Sequence, residues 1–370
     1  MTQRIIIDCD PGIDDALAIV FAHGDPGLEL CGITTVAGNV GLDRTTANAL
    51  RVRDFIGMPD VPITPGSAGP LLWPVLDARH VHGASGLAGA RLPEPASQAE
   101  DGHAVDYLIE TISAAPGEIT LIAMGPLTNI ALAVRREPLL VERVRDFVIM
   151  GGSAGRGNVT PAAEFNIAAD PEAAAVVFGA GWTVTMVGLD VTLQARATVA
   201  VRERMRGLGR LADDLLLPSL AGYLSGDVAG LARPGEPPVP AGADGTAGAD
   251  GAAGAAAATG AYGGTGRPEH ATPDDHDWPD GPGGPAVHDV CAVARVARPA
   301  LFDCVPALVQ VETAGRLTAG MTVTDFAAPP AARNALVAMG IDVPSFWDLV
   351  LDGYARVAAG MPGQPGMPGR

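Results

Sequence analysis

The sequence predicts an α/β fold: a mostly parallel central sheet with helices on both faces. Three observations carry this. Runs of Ile and Val of strand length recur along the first two-thirds of the chain. Amphipathic helical stretches separate them, as in parallel sheets buried on both faces. Polar clusters fall just after the strands, where such sheets place their ligands.

The elements follow in order. Arg4 to Cys9 reads as a strand, then Asp14 to Ala22 as a helix with Ala16, Leu17, Ile19, Val20 and Phe21 apolar. Glu29 to Val36 is a second strand, Arg44 to Ile56 a second helix, and Val61 to Ile63 a short strand. Helices at Ala104 to Ala114, Leu127 to Arg136 and Pro171 to Phe178 alternate with strands at Glu118 to Met124, Asp146 to Met150 and Thr183 to Val187. The core is expected over residues 1–230. Residues 231–285 are rich in Gly, Ala and Pro, bury too little side chain to offset ordering entropy, and read as a flexible insert. Residues 286–358 complete the same domain, with an apolar run at Ala307 to Val311 and a last helix from Ser345 to Ala358. Residues 359–370 read as a disordered tail.

Composition narrows the partners. The 370 residues carry 42 acidic and 24 basic side chains, a net charge of -18, and every fixed side-chain cation is Arg. Such a surface repels phosphate backbones and anionic lipids, so neither nucleic acid nor membrane is an expected partner. Cys9, Cys31, Cys291 and Cys304 lack metal-type spacing and read as buried, reduced thiols of a cytoplasmic protein. The N-terminus enters a strand directly, without the pattern of a secretory signal.

The sharpest motif is Asp8-Cys9-Asp10-Pro11-Gly12-Ile13-Asp14-Asp15, four carboxylates at a strand-to-helix turn. Helix capping accounts for one of them. Unpaired carboxylates repel by about 1 kcal/mol per pair at 4 Å even in water. A hard cation relieves this, and oxygen ligands without Cys or clustered His select calcium or magnesium. A metal that holds water between carboxylates, one of them a general base, suits hydrolysis.

DCDPGIDDALAI resembles the N-terminal motif of the inosine–uridine-preferring nucleoside hydrolases. Further matches run in order: Ile33 to Asn39, His80 to Gly83, Met124 to Ala131, Met150 to Gly152 with Gly157-Asn158, Ala163 to Asn166, Asp170 to Ala173, His288-Asp289, and Gly315 to Val323. The set spans the chain apart from the insert and the tail.

The resemblance implies a Rossmann-like nucleoside hydrolase fold, assembled as a homodimer or homotetramer. It implies hydrolysis of the N-glycosidic bond of ribonucleosides to ribose and free base, by a calcium-bound water that an aspartate activates. By position, Asp10, Asp15, Asp289 and the Met124 carbonyl would bind Ca2+, with Asp10 taking the proton. The sugar's 2′- and 3′-hydroxyls and one water would fill the remaining coordination positions, and Asp289 would also contact the substrate. Asp14 would accept a ribose hydroxyl; Asn39, Asn158, Glu164 and Asn166 would grip the sugar edge; Met150 would pack on the ring. The leaving base needs a proton or a hydrogen bond, for which His288 is the candidate, with orientation of Asp289 as its plainer role. His82 would line the base pocket. His288 points weakly to an inosine/uridine-type or pyrimidine-tolerant pocket.

Other polar and aromatic residues have structural readings. Asp190 could line the site but is expected in a supporting or turn role, Asn129 is expected as a hydrogen-bonder at a helix start, and Tyr223 and Trp278 could stack on a base but are expected in core or solvent roles. Two rival functions stand beside the main one. Asp8-x-Asp10 after a strand resembles a haloacid-dehalogenase-type phosphatase, but Lys is lacking and Asp14 and Asp15 would repel phosphate. The other is a non-catalytic calcium- or nucleoside-binding relative.

Overall fold

The computed structural model describes residues 2–225 and 283–361. Most of the expected insert, Trp278 and the tail beyond residue 361 lie outside the described residues.

Six strands come first: β1 (Gln3–Cys9), β2 (Leu28–Thr35), β3 (Ile63–Pro65), β4 (Ile119–Ala123), β5 (Asp146–Met150) and β6 (Val184–Val187). Three follow near the C-terminus: β7 (Phe302–Val311), β8 (Thr322–Asp325) and β9 (Ala335–Ile341). They form one nine-stranded sheet in the order β3-β2-β1-β4-β5-β6-β9-β7-β8. Pairing is parallel from β3 through β9, and β7 runs against both β9 and β8. The predicted mostly parallel sheet is thus present, with a mixed edge that the apolar run at Ala307 to Val311 only hinted at.

The helices are α1 (Ile13–Gly24), α2 (Leu42–Ile56), α3 (Arg79–His82), α4 (Ala104–Ala114), α5 (Thr128–Arg136), α6 (Leu140–Arg143) and α7 (Phe165–Ala169). After them come α8 (Pro171–Phe178), α9 (Leu189–Thr192), α10 (Val199–Arg206), α11 (Leu217–Ser225), α12 (Asp289–Ala297) and α13 (Val343–Gly360). Helices α1, α2, α12 and α13 pack together on one face of the sheet; α4, α5, α6 and α8 cover the other. Strand β1 shows why both faces are apolar. Ile5, Ile7 and Cys9 enter one core and Ile6 the other, the period-2 alternation of a strand buried on both sides.

The strand order positions the site. From β1 the chain steps outward through β2 and β3, then returns to the far side of β1 with β4, β5 and β6. Successive crossovers diverge at β1 and β4, and the crevice beyond their C-terminal ends is where open α/β sheets bind ligands. The acidic turn follows β1, and Met124 follows β4.

The last segment enters by docking on an earlier one. Ala197 N–H donates to Pro285 O at 2.8 Å and Val287 N–H to Ala195 O at 3.0 Å, with an antiparallel bridge between Arg196 and Ala286. The Arg196 guanidinium also donates to Gly284 O at 3.0 Å. Gly284 and Pro285, expected within the insert, are thus part of this joint, which leads directly into His288 and α12.

All four cysteines are free. Cys9 and Cys291 are buried as expected, but Cys31 and Cys304 are only half-buried, within the partly exposed first halves of β2 and β7. Among the described residues no helix is long and apolar enough to cross a membrane.

Candidate active site

The turn after β1 closes on itself. Asp15, third residue of α1, accepts from Gly12 N–H at 2.9 Å and Asp10 N–H at 3.2 Å, so it is the capping aspartate. Asn39, in the turn after β2, ties the acids together. Its amide N–H donates to Asp10 Oδ2 at 2.6 Å, and its Nδ2 donates to Asp10 O and Asp15 Oδ2, each at 3.1 Å. Asp8 lies deeper, accepting from Thr34 Oγ1 at 2.5 Å and Asn129 Nδ2 at 2.8 Å. Asn129 also donates to Thr35 O and accepts from Ser67 N–H, the structural role expected of it.

Gly38 and Gly125 flank the Asp10 carboxylate so closely that a Cβ on either would collide with its oxygens. Asp10 Oδ1 and Asp8 Oδ2 are buried without a hydrogen-bond partner among the described residues. On the opposite side Asp289 opens α12, and one oxygen each of Asp14, Asp15 and Asp289 lie within 4.8 Å of one another. Carboxylates from both ends of the chain therefore converge. Among the described residues no Arg forms an ion pair with any of them.

Burial raises Asp10, Asp15 and Asp289. Loss of hydration first, then the charge of Asp14, lifts Asp15 to about 7 against the opposing N–H groups of Gly12 and Asp10. Asp10 and Asp289 stand well above the ordinary carboxylate range, by loss of hydration and then by neighbouring aspartates. Without a cation the cluster must hold protons. With a hard divalent ion it need not, so the unpartnered Asp10 oxygen and the Asp14–Asp15–Asp289 group fit a metal site. The set differs from the sequence-derived ligands in one respect: Asp14 joins the closest group, while Asp10 sits behind it, in contact with Asp15 and Asn39.

Above the acids lies a cavity of about 380 Å³, of small-molecule size. Asp14, Asn39, His82, Met124 and Met150 line it, as do Asn158, Glu164, Asn166, His288 and Asp289; Asp10 and Asp15 lie beneath. Asn166 Nδ2 donates to Met124 O at 2.9 Å and Met150 O at 3.1 Å, bracing the ends of β4 and β5. The Glu164 carboxylate caps α7 through Asn166 and Ile167 N–H and reaches Gly152 N–H at 2.9 Å. Loss of hydration outweighs those three bonds and lifts it to about 7. Asn158 Oδ1 accepts from Phe165 N–H at 2.9 Å. Asn39, Glu164 and Asn158 thus spend part of their polar capacity on the framework.

His82 accepts the Ile13 N–H at Nδ1, 3.1 Å away, and burial lowers it to about 4, so it is neutral with its hydrogen on Nε2. Tyr223 corrects the expectation of a core or solvent role. It lines the cavity, its ring packs edge-on against His82 at 5.5 Å, and its hydroxyl bonds Asp14. Its place between the insert and α11's apolar face was ambiguous in sequence. Leu76, Asp77, Ala78, His80 and Val81 add a wall of which only His82 was foreseen as a pocket residue; Ala78 N–H donates to Asn39 O at 3.0 Å, which brings that loop in. Asp190 lies outside the cavity and accepts Ala154 N–H at 2.7 Å, the turn role expected.

Known proteins match this arrangement along the chain. A family model described as inosine-uridine preferring nucleoside hydrolase matches residues 5–348. The chain is similar to the inosine-uridine preferring nucleoside hydrolase of Leishmania major, 41% identical over 96% of this chain and 99% of the relative. It is also similar to the pyrimidine-specific ribonucleoside hydrolase RihA of Salmonella schwarzengrund, 36% identical over 95% of this chain and 98% of the relative. Among solved structures, the purine-preferring ribonucleoside hydrolase from Gardnerella vaginalis superposes with a TM-score of 0.77 at 29% identity, covering 96% of this chain and 99% of that one. The matched region takes in both the acidic turn and Asp289, and the chain belongs to the inosine-uridine preferring nucleoside hydrolase family of N-glycosidases.

Proposed function

We propose that this chain hydrolyses ribonucleosides to ribose and free nucleobase at a calcium-dependent site. The observation that carries the reading is the buried, unpartnered Asp10 Oδ1 beside the Asp14–Asp15–Asp289 group. Asp10, Asp15, Asp289 and the Met124 carbonyl would hold the ion, with Asp14 close by. Calcium in that position supplies charge that offsets the carboxylates and lowers the pKa of a neighbouring water.

The chain's own groups do the rest. Asp10 accepts a proton from the water as its oxygen bonds the anomeric carbon and the carbon–nitrogen bond breaks toward the base. Positive charge developing on the sugar ring is met by the acidic floor. Asp14, Asn39, Asn158, Glu164 and Asn166 orient the ribose hydroxyls, and Met150 packs against the ring. The electron pair of the broken bond leaves with the base, whose charge His288 meets with a hydrogen bond or proton; His82 lines the base side. Relatives named for inosine and uridine, for pyrimidines and for purines share this framework, so base choice belongs to the walls rather than the floor. An inosine/uridine-type preference, a homodimeric or homotetrameric assembly and a cytoplasmic setting complete the proposal.

The test is release of free ribose from a panel of ribonucleosides by the wild type and by Asp10→Ala. Turnover should fall about a thousandfold or more while the variant stays folded. Near-normal turnover would refute the role of Asp10. Retained nucleoside binding with no release by the wild type would favour a non-catalytic relative.

A further inference from the structure

The geometry points to Thr192 as a positioning residue for the leaving-group side of the reaction: its hydroxyl orients His288 and keeps the ring hydrogen on Nε2. This rests on the reading of His288 given above.

Thr192 ends the short helix α9 and is fully buried. Its Oγ1 lies 2.8 Å from His288 Nδ1. Either atom could donate on distance alone, but the surroundings decide. Among the described residues the Thr192 hydroxyl meets no other acceptor, and a buried O–H left without one is costly. The hydroxyl therefore donates, Nδ1 accepts, and a neutral ring carries its hydrogen on Nε2. His82 shows the same outcome from a donor that cannot reverse, the Ile13 amide. Both rings line the cavity.

Thr192 is itself well anchored. Its own N–H donates to Gly188 O at 3.1 Å, and Leu189 N–H to Gly152 O at 2.9 Å, fixing α9 to the ends of β5 and β6. The joint at Ala195 and Ala197 brings in the backbone of Pro285 and Val287, and the Thr192 hydroxyl meets the Nδ1 side of the ring that follows. A bond at Nδ1 bears on the ring's angle and its tautomer together, as outer partners of histidine ligands do.

The calcium-loaded full chain tests this with two leaving groups: the base of uridine or inosine, which needs help to depart, and the nitrophenolate of 4-nitrophenyl riboside, which does not. Thr192→Val should lower kcat on the nucleosides about 10- to 100-fold with KM within about threefold, and spare the nitrophenyl riboside. Thr192→Ser should restore nucleoside turnover. Equal losses on both substrates, or none on either, overturn the inference. If His288→Ala discriminates between the substrates and Thr192→Val does not, Thr192 fails and the role of His288 stands. If His288→Ala treats both alike, the role of His288 fails and Thr192 with it. Nitrogen NMR of the wild-type His288 ring, assigned by its loss in His288→Ala, requires no folded Thr192 variant: a protonated Nε2 and bare Nδ1 is expected, and the reverse overturns the inference.

Discussion

Two stretches bring carboxylates to the site, and they are held by different means. The turn from Asp8 to Asp15 joins a central strand directly to a buried helix, and Asn39 and the N–H groups of Asp10 and Gly12 lock it from within. The stretch from Gly284 to Asp289 has no such local closure. Its contacts with described residues include two backbone bonds to Ala195 and Ala197, one from the Arg196 side chain, Thr192, and a side-chain bond between Asp289 and Asp15. The first half of the site is written in eight consecutive residues. The second depends on a joint between segments far apart in sequence, so it can be loosened with little damage to the first.

The strongest way to break the first half is to crowd it. Gly125→Ala places a methyl group 2.7 Å from Asp10 Oδ1, too close for both to stay in place. Turnover and calcium affinity should each fall about 100-fold, with folding cost on the order of 1–3 kcal/mol. Calcium titration calorimetry checks this, and unchanged affinity would show that Asp10 is not part of the ion's site. Loosening the second half should do less. Val287→Pro removes the N–H that donates to Ala195 O at 3.0 Å, so turnover should fall about tenfold and calcium affinity should weaken through Asp289. A variant with wild-type kinetics would mean that the joint does not place His288 and Asp289.

The contrast also explains what the sequence made legible. Strands β1, β4 and β5 were readable because burial on both faces leaves runs of apolar residues, and β2 and β6 because short apolar stretches lie between helical ones. Strand β8 is four residues, half of them exposed, and β7 is interrupted by exposed polar residues and Pro306, so neither carries a clear period. The same split holds in the site. Asp10, Asp14 and Asp15 stand out because four acids in one turn need explaining, and Met124 and Met150 because they end parallel strands. Tyr223 and Thr192 carry no local signal: an apolar helix face accounts for one and a short polar turn for the other. Tertiary packing places Tyr223 in the cavity wall and Thr192 against His288.

A smaller effect sharpens the account of the cavity wall. Glu164 is lifted from 4.5 to about 7 in the folded chain. Between those values the folded protein keeps a proton that the unfolded chain has released. Stability of the calcium-free protein should therefore fall as pH rises through that window and level off above it, by at most about 1.4 kcal/mol per pH unit for this group. Asp8 and Asp15, also lifted to about 7, act in the same direction. Denaturant unfolding at several pH values checks this, and Glu164→Gln should flatten part of the slope. A slope unchanged by the substitution would mean that Glu164 is already ionised in the fold.

The most direct measurement is ribose release from inosine and uridine by the intact chain before chelation, after chelation, and after calcium is returned. Convergence of the aspartates on a single ion predicts loss of activity on chelation and recovery with calcium, accompanied by a higher melting temperature. Undiminished release from thoroughly chelated protein would contradict it.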